Sequence, residues 1–189
     1  SIQSLSTAQV SVLRSDQLPG LTAEQLVALE TVDLVAISPS NLATLRPYQL
    51  TELTTAQIVA LTTAQVSGLV SAQLRGLTVE QVQALQTQDL VSISGANLAT
   101  LTPTQAAGLT TAQIVSLSTA QVSALASVQL RSLTTEQVRA LQTEDLVAIS
   151  VANLGALQAS QFEGLSTAQV VALKSEQVGG LTSVQIAGL

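Results

Sequence analysis

A branched aliphatic residue stands at every eighth position of this chain from Leu5 to Leu189, without an insertion or a deletion. Residues 5–188 therefore divide into 23 octads. The residue is Leu in all of them except those that begin with Ile37, Ile93 and Ile149. A repeat this regular constrains the fold more than any single motif, because each octad must adopt the same local structure and bury its apolar residues against its neighbours.

A short helix in each octad fits the pattern better than a long helix or a strand. Eight residues of a continuous α-helix advance about 800°, so the Leu stripe would slip about 80° per repeat around the surface. In a strand, the apolar positions 1 and 6 of the octad would point to opposite faces. With Thr54 as N-cap, however, Gln57 falls at N3 and completes a capping box. Leu53 and Ile58 then occupy N′ and N4, where a hydrophobic staple forms.

Proline and glutamate support this helix frame. Pro39, Pro47 and Pro103 all stand at position 3, which the frame labels N1, where Pro is favoured. Position 4, in the first turn, often carries Glu, which the helix dipole stabilises. Some octads lack Ser or Thr at position 2, such as those with "VSAQ" and "KSEQ", and there we expect the cap to shift by one residue.

The octads predict an all-α solenoid with one short capped helix each and three to four octads per turn. A helix of about six residues is too short to be stable alone, so it must pack on neighbouring repeats. Helix axes pack about 8–10 Å apart, which a three-sided coil would crowd and a four-sided coil would exceed. A longer period of seven octads relates "LETVDLVAIS", "LQTQDLVSIS" and "LQTEDLVAIS". We interpret it as duplication. A coil of about 3.5 octads per turn, which would stack the copies, is the alternative.

Position 5 of the octad always carries a polar side chain. It is Gln in most octads and Asp or Asn in the others, and never apolar or cationic. We predict that these side chains serve as capping partners or as a ladder that joins backbone groups at the corners. A row of ligand-binding amides is the alternative. The central members of the set are Gln57, Gln65, Gln73, Gln81, Asp89, Asn97, Gln105, Gln113 and Gln121.

Composition argues against most chemical functions. The chain has no His and no Cys, so no His-based triad, thiolate nucleophile or zinc site can be built, and we predict no catalytic, cofactor-binding or metal-binding residue. Six cations and a net charge of −6 do not form the basic patch that nucleic acid requires. No apolar run approaches the length of a membrane span, so we expect no membrane insertion. Asp33, Asp89 and Asp145 are interpreted as capping variants, and the acidic "TED" at 143–145 is only weak evidence for calcium.

Tyr48 and Phe162 are the only aromatic residues. Their octads, "LRPYQLTE" and "LQASQFEG", occupy equivalent places in two of the seven-octad blocks, and both lack the Ser/Thr cap. We expect both rings to fill corners. Because these octads are the least regular in the array, they are also the candidate spot for a partner.

The run "LTTAQVSALASVQLRSLTTEQVRAL" resembles octapeptide arrays in very large bacterial secreted or cell-surface repeat proteins of adhesin-like type. The resemblance covers residues 1–189, which we expect to form one solenoid and to be a fragment of a longer protein. It implies a secreted or surface location and adjacent repeats as partners, and it carries over no catalytic residue. We therefore expect a structural spacer or stalk. A binding module with a regular Ser/Thr-lined face for a glycan, a protein or ice is the alternative, and an enzyme is a distant third.

Overall fold

The computed structural model describes residues 2–189, which form short helices joined by tight corners. Two 3-10 turns, Ile2–Ser4 and Leu18–Gly20, belong to the first repeats. No strand occurs in this part of the chain, so the predicted all-α class is confirmed. The α-helices are α1 (Thr7–Ser11), α2 (Ala23–Val27), α3 (Thr31–Ala36), α4 (Pro39–Leu42), α5 (Pro47–Thr51), α6 (Thr55–Ala60), α7 (Thr63–Ser67), α8 (Ser71–Gly76), α9 (Val79–Ala84), α10 (Thr87–Ser92), α11 (Gly95–Leu98), α12 (Pro103–Gly108), α13 (Thr111–Ser116), α14 (Thr119–Ala124), α15 (Ser127–Ser132), α16 (Thr135–Ala140), α17 (Thr143–Ala148), α18 (Val151–Leu154), α19 (Ala159–Glu163), α20 (Thr167–Ala172), α21 (Ser175–Gly179) and α22 (Ser183–Ile186).

Each corner is made by two extended residues between consecutive helices. Leu61 ends α6 with φ −55° and ψ 139°, and Thr62 precedes α7 with φ −75° and ψ 154°. The Thr62 hydroxyl accepts a hydrogen bond from the backbone N–H of Gln65, and Gln65 Oε1 accepts one from the N–H of Thr62. Because these groups satisfy the first turn, a helix of only five or six residues can begin and end sharply.

Each helix packs on the helix three octads further along the chain. The pairs α7 with α10, α5 with α8, and α14 with α17 are examples. The coil therefore has three octads per turn. This confirms the predicted solenoid, but the alternative of about 3.5 octads per turn is wrong. The spacing of about 8–10 Å between helix axes applies between stacked coils and not across one coil, whose centre holds side chains.

The seven-octad blocks do not stack on one another. At three octads per turn, a block of seven octads makes two and one third turns, so successive copies lie on different sides of the coil. Duplication remains our interpretation of the longer period.

Positions 1 and 6 of the octads fill the centre of the coil. One continuous cluster of aliphatic side chains runs through the described chain, as with Leu85 and Ile114, which are 4% and 0% exposed. The aromatic ring of Phe162 takes a position-6 place in the same core at 1% exposure. Position 7 faces outward, and Val59 and Val115 there are nearly half exposed.

Small residues at position 8 let successive coils approach closely. A Cβ atom on Gly108 would lie well inside van der Waals contact with Val79 Cγ1, which belongs to position 3 of the preceding coil. The same contact recurs between Gly164 and Thr135 and between Gly180 and Val151. Position 8 of one coil therefore accommodates position 3 of the coil before it.

Candidate functional site

The Gln at position 5 joins two separate stretches of backbone. Gln113 Oε1 accepts from the N–H of Thr110, 2.9 Å away, at the start of its own helix. Its Nε2 donates to the carbonyls of Val82 and Leu85, both at 2.9 Å, in the preceding coil. The side chain is 2% exposed. A single amide thus caps one helix and ties it to the corner beneath it.

The corner carbonyls explain why an amide is required here. The carbonyl of Leu85 is buried, and within the described residues its hydrogen-bond donor is the side-chain amide of Gln113. A buried carbonyl without a donor is costly, so the ladder of amides supplies what the helices cannot. Equivalent bonds, to carbonyls 28 and 31 residues earlier, are made by Gln49, Gln57, Gln65, Gln73, Gln81, Gln105, Gln121, Gln129, Gln137, Gln161, Gln169 and Gln177.

Asp89 occupies the same position but makes different bonds. Its helix α10 lacks a capping box, and its Oδ1 accepts from the hydroxyl of Thr63 in the preceding coil at 2.5 Å. A carboxylate cannot donate to the corner carbonyls. Gln86, at position 2 of the same octad, donates instead to the carbonyl of Val59 at 2.9 Å. Asp89 is therefore a link between coils, and our interpretation of it as a capping variant is wrong.

Asp145 repeats this arrangement. Its Oδ1 accepts from Thr119 at 2.7 Å, and Gln142 donates to the carbonyl of Val115 at 2.9 Å. Asp145 is 1% exposed, and its Oδ2 has no hydrogen-bond partner within residues 2–189. Asp33, 9% exposed, likewise accepts from Thr7.

Asn97 combines the donor and acceptor roles. Its Nδ2 donates to the carbonyl of Leu69 at 3.2 Å, and its Oδ1 accepts from the hydroxyl of Ser71 at 2.9 Å. The cap of its helix comes from Ser94, whose hydroxyl accepts from the N–H of Asn97. The shorter amide reaches the adjacent coil but not its own N-cap.

The N-cap stays at position 2 even where that residue has no hydroxyl. Val70 precedes α8 and Lys174 precedes α21, so the expected shift of the cap by one residue does not occur. The N–H of each still donates to the Oε1 of the Gln three residues later, at 3.0 Å in both helices. The Gln half of the capping box is sufficient to hold the register because the ladder fixes its amide.

Tyr48 and Phe162 lie in different environments. Phe162 is buried in the core, whereas Tyr48 stands in the first turn of α5 and is 54% exposed. Their octads lie on different sides of the coil and several turns apart, so the structure does not bring the two rings together. A surface groove of about 560 Å³ lies on the same side as Tyr48, between its coil and the preceding one, and it is lined by Ala23, Glu24, Val27, Ala28 and Glu52.

Apart from the Asp residues at position 5, the charged side chains of residues 2–189 are exposed at the surface. The Arg14 guanidinium binds Asp16 through two hydrogen bonds of 3.0 and 3.1 Å, and this contact lowers the pKa of the Asp16 carboxyl. Hydrogen bonds from its own backbone N–H and from the Thr78 hydroxyl lower the pKa of Glu80. In "TED", Glu144 accepts from the hydroxyl of Thr143, while Asp145 is bound to the preceding coil. Within residues 2–189 no three His, Cys, Asp or Glu residues are grouped so that they could hold a metal ion.

None of the helices described in residues 2–189 has the length and apolar character needed to cross a membrane. The ALTTAQ repeat family model matches three segments, residues 26–63, 138–175 and 163–189, which together cover slightly less than half of the chain. The chain is thus a repeat protein similar to that family. A comparison with curated proteins finds no matching sequence.

Proposed function

We propose that this chain is a non-catalytic structural repeat domain that acts as a stiff spacer or stalk. The observation that carries the proposal is that the repeated polar side chains are used within the coil. The hydroxyls at position 2 cap helices, as Thr110 does, and the amides at position 5 bind corner carbonyls, as Gln113 does. Groups that are committed to the backbone are not free to bind a ligand.

The distribution of features around the coil supports the same role. Each seven-octad block starts one third of a turn away from the previous one. The irregular octads are therefore spread over all sides, and no side repeats a special feature in every coil. A rod of this kind separates what is attached to its two ends without presenting one continuous face.

Such a rod resists bending, but it is shorter than an extended chain of the same number of residues. With three octads per coil and about 9 Å between stacked helices, 23 octads give roughly 70 Å. An extended chain would be far longer, but it would not resist bending. From the resemblance to octapeptide arrays we propose that the rod is part of a large bacterial secreted or surface protein, with adjacent repeats as its partners.

The experiment that tests this role is a change of length. Duplication of residues 109–132, one coil, should leave the helix content per residue unchanged and extend the particle by about 9 Å. The maximum dimension is measured by small-angle X-ray scattering. A duplication of residues 109–120 serves as the control, because it breaks the octad frame and should disturb the fold. If the one-coil insert fails to lengthen the particle, the rod model is wrong.

The alternative function is adhesion through the exposed hydroxyl row at position 3. On one side this row holds Thr63, Thr87, Thr111 and Thr135 in four successive coils, and among them the Thr63 hydroxyl already donates to Asp89. A glycan array and a thermal-hysteresis assay distinguish the two functions. A signal in either assay favours the binding module, and silence in both favours the spacer.

A further inference from the structure

The groove between α2 and α5 arises where the array departs from its own packing rule. From Ala36 to Gly188, position 8 carries Ala, Gly, Ser or Thr in every octad but one. The exception is Glu52, which follows α5 and is exposed. Ala23 stands at position 3 of its octad, and Glu52 stands at position 8 of the octad that lies above it in the next coil. The two residues therefore form the pair that elsewhere packs position 8 against position 3 of the coil before it.

The other two seven-octad blocks show what normally fills this place. The residues equivalent to Ala23 and Glu52 are Val79 and Gly108 in the second block. There the Val side chain lies directly over the Gly. In the third block they are Thr135 and Gly164, and the Thr methyl group takes the same place.

In the first block the small residue is at position 3 and the large one at position 8, the reverse of the other two blocks. Ala23 contributes only a methyl group, and the charged end of Glu52 cannot replace an apolar side chain without losing its hydration. The carboxylate therefore turns to solvent, and the space above α2 stays open. The result is the groove of about 560 Å³ described above.

The groove combines an apolar floor with negative charge. Ala23, Val27 and Ala28 form the floor, and Val27 is 42% exposed. Glu24 and Glu52 complete the lining. Neither carboxylate has a cation within 4 Å, since the ion pair found in residues 2–189 is the one between Arg14 and Asp16. A ligand that fits must offer a cation at the end of an apolar stem.

We infer that this groove binds a lysine side chain of a polypeptide partner. The four methylenes of Lys match the Ala and Val floor, and its ammonium is a compact point charge with three donors for two carboxylates. This site goes beyond the spacer role, because it gives one coil of the rod a partner. It does not depend on that role.

The test uses the whole chain and the peptide acetyl-Gly-Lys-Gly-amide, followed by chemical-shift changes in NMR titration. We expect saturable binding that weakens with added salt. The double substitution Glu24→Gln and Glu52→Gln should weaken it roughly tenfold, because two exposed ion pairs are lost while the shape is kept. A peptide with norleucine in place of Lys should not bind, since it retains the stem without the charge.

The chain itself offers matched variants. Ala23→Val with Glu52→Gly copies the Val79 and Gly108 pair and should abolish binding while the protein stays folded. Val79→Ala with Gly108→Glu should create a second groove and a second binding event. Full affinity in the filled variant, equal binding of the norleucine peptide, or tighter binding of an arginine peptide would each overturn the assignment to lysine.

Discussion

Replacement of Gln113 by Met removes the amide from the ladder while keeping a side chain of similar length. Three hydrogen bonds of 2.9 Å are lost, one from the Thr110 N–H and two to the carbonyls of Val82 and Leu85. Two longer ones of 3.3 Å, from the Thr110 hydroxyl and to the carbonyl of Gln83, are lost with them. Each such bond contributes about 0.5–1.5 kcal/mol net, and a buried carbonyl left without a donor costs about 1–3 kcal/mol. Val82 keeps its bond from the N–H of Leu85. We therefore expect the variant to lose about 2–5 kcal/mol of unfolding free energy, which corresponds to roughly 5–15 °C in Tm.

The matched control for this variant is Gln25→Met. Gln25 Oε1 accepts from the N–H of Thr22 at 2.9 Å, as in other octads, but its Nε2 has no acceptor among the described residues. The control therefore loses only the cap, at a cost of about 1 kcal/mol. Thermal unfolding followed by circular dichroism compares the two. Equal loss of stability in both variants would refute the ladder as a source of stability.

A third variant, Gln113→Glu, separates the two halves of the amide. It keeps the acceptor for Thr110 but places a carboxylate against the carbonyls of Val82 and Leu85. Folding should raise the pKa of this introduced carboxyl, because only the protonated form can donate. Its penalty should therefore be largest at neutral pH and should shrink as the pH falls towards the ordinary Glu value, about 4.3. A pH-independent penalty would contradict this geometry.

The remaining predictions concern coil contacts and the octad frame. Gly108→Ala should cost about 1–3 kcal/mol because its Cβ overlaps Val79 Cγ1, and Val79→Ala should rescue it; Gly179→Ala is the control, since nothing lies within 4 Å of its Cβ. Asp89→Gln combined with Gln86→Thr should raise the melting temperature, because the octad then regains both the capping box and the ladder; a lower melting temperature would contradict our account of the Asp octads. Deletion of residues 109–116 should preserve cooperative unfolding, whereas deletion of residues 109–112 should abolish it in the same circular-dichroism melt.

The local structure of this protein could be predicted from its amino-acid sequence. Thr54 and Gln57 lie three residues apart, so the capping box, the helix start and the corner can all be recognised within one octad. The fold class followed, because helices this short must pack on their neighbours. The dual role of the Gln was predicted only as two alternatives, a cap or a ladder, and Gln113 makes both kinds of bond.

Which octads pack against one another is visible only in the folded coil. In an array with a period of eight, contacts with the second, third or fourth octad along the chain are equivalent in sequence, so the number of octads per turn could not be predicted. The partner of Asp89 was missed for the same reason, since Thr63 is 26 residues away. Only departures from the repeat break this equivalence. Val79 pairs with Gly108 because a large side chain needs space in the next coil, and the position of that Gly, three octads beyond the octad of Val79, marks three octads per turn.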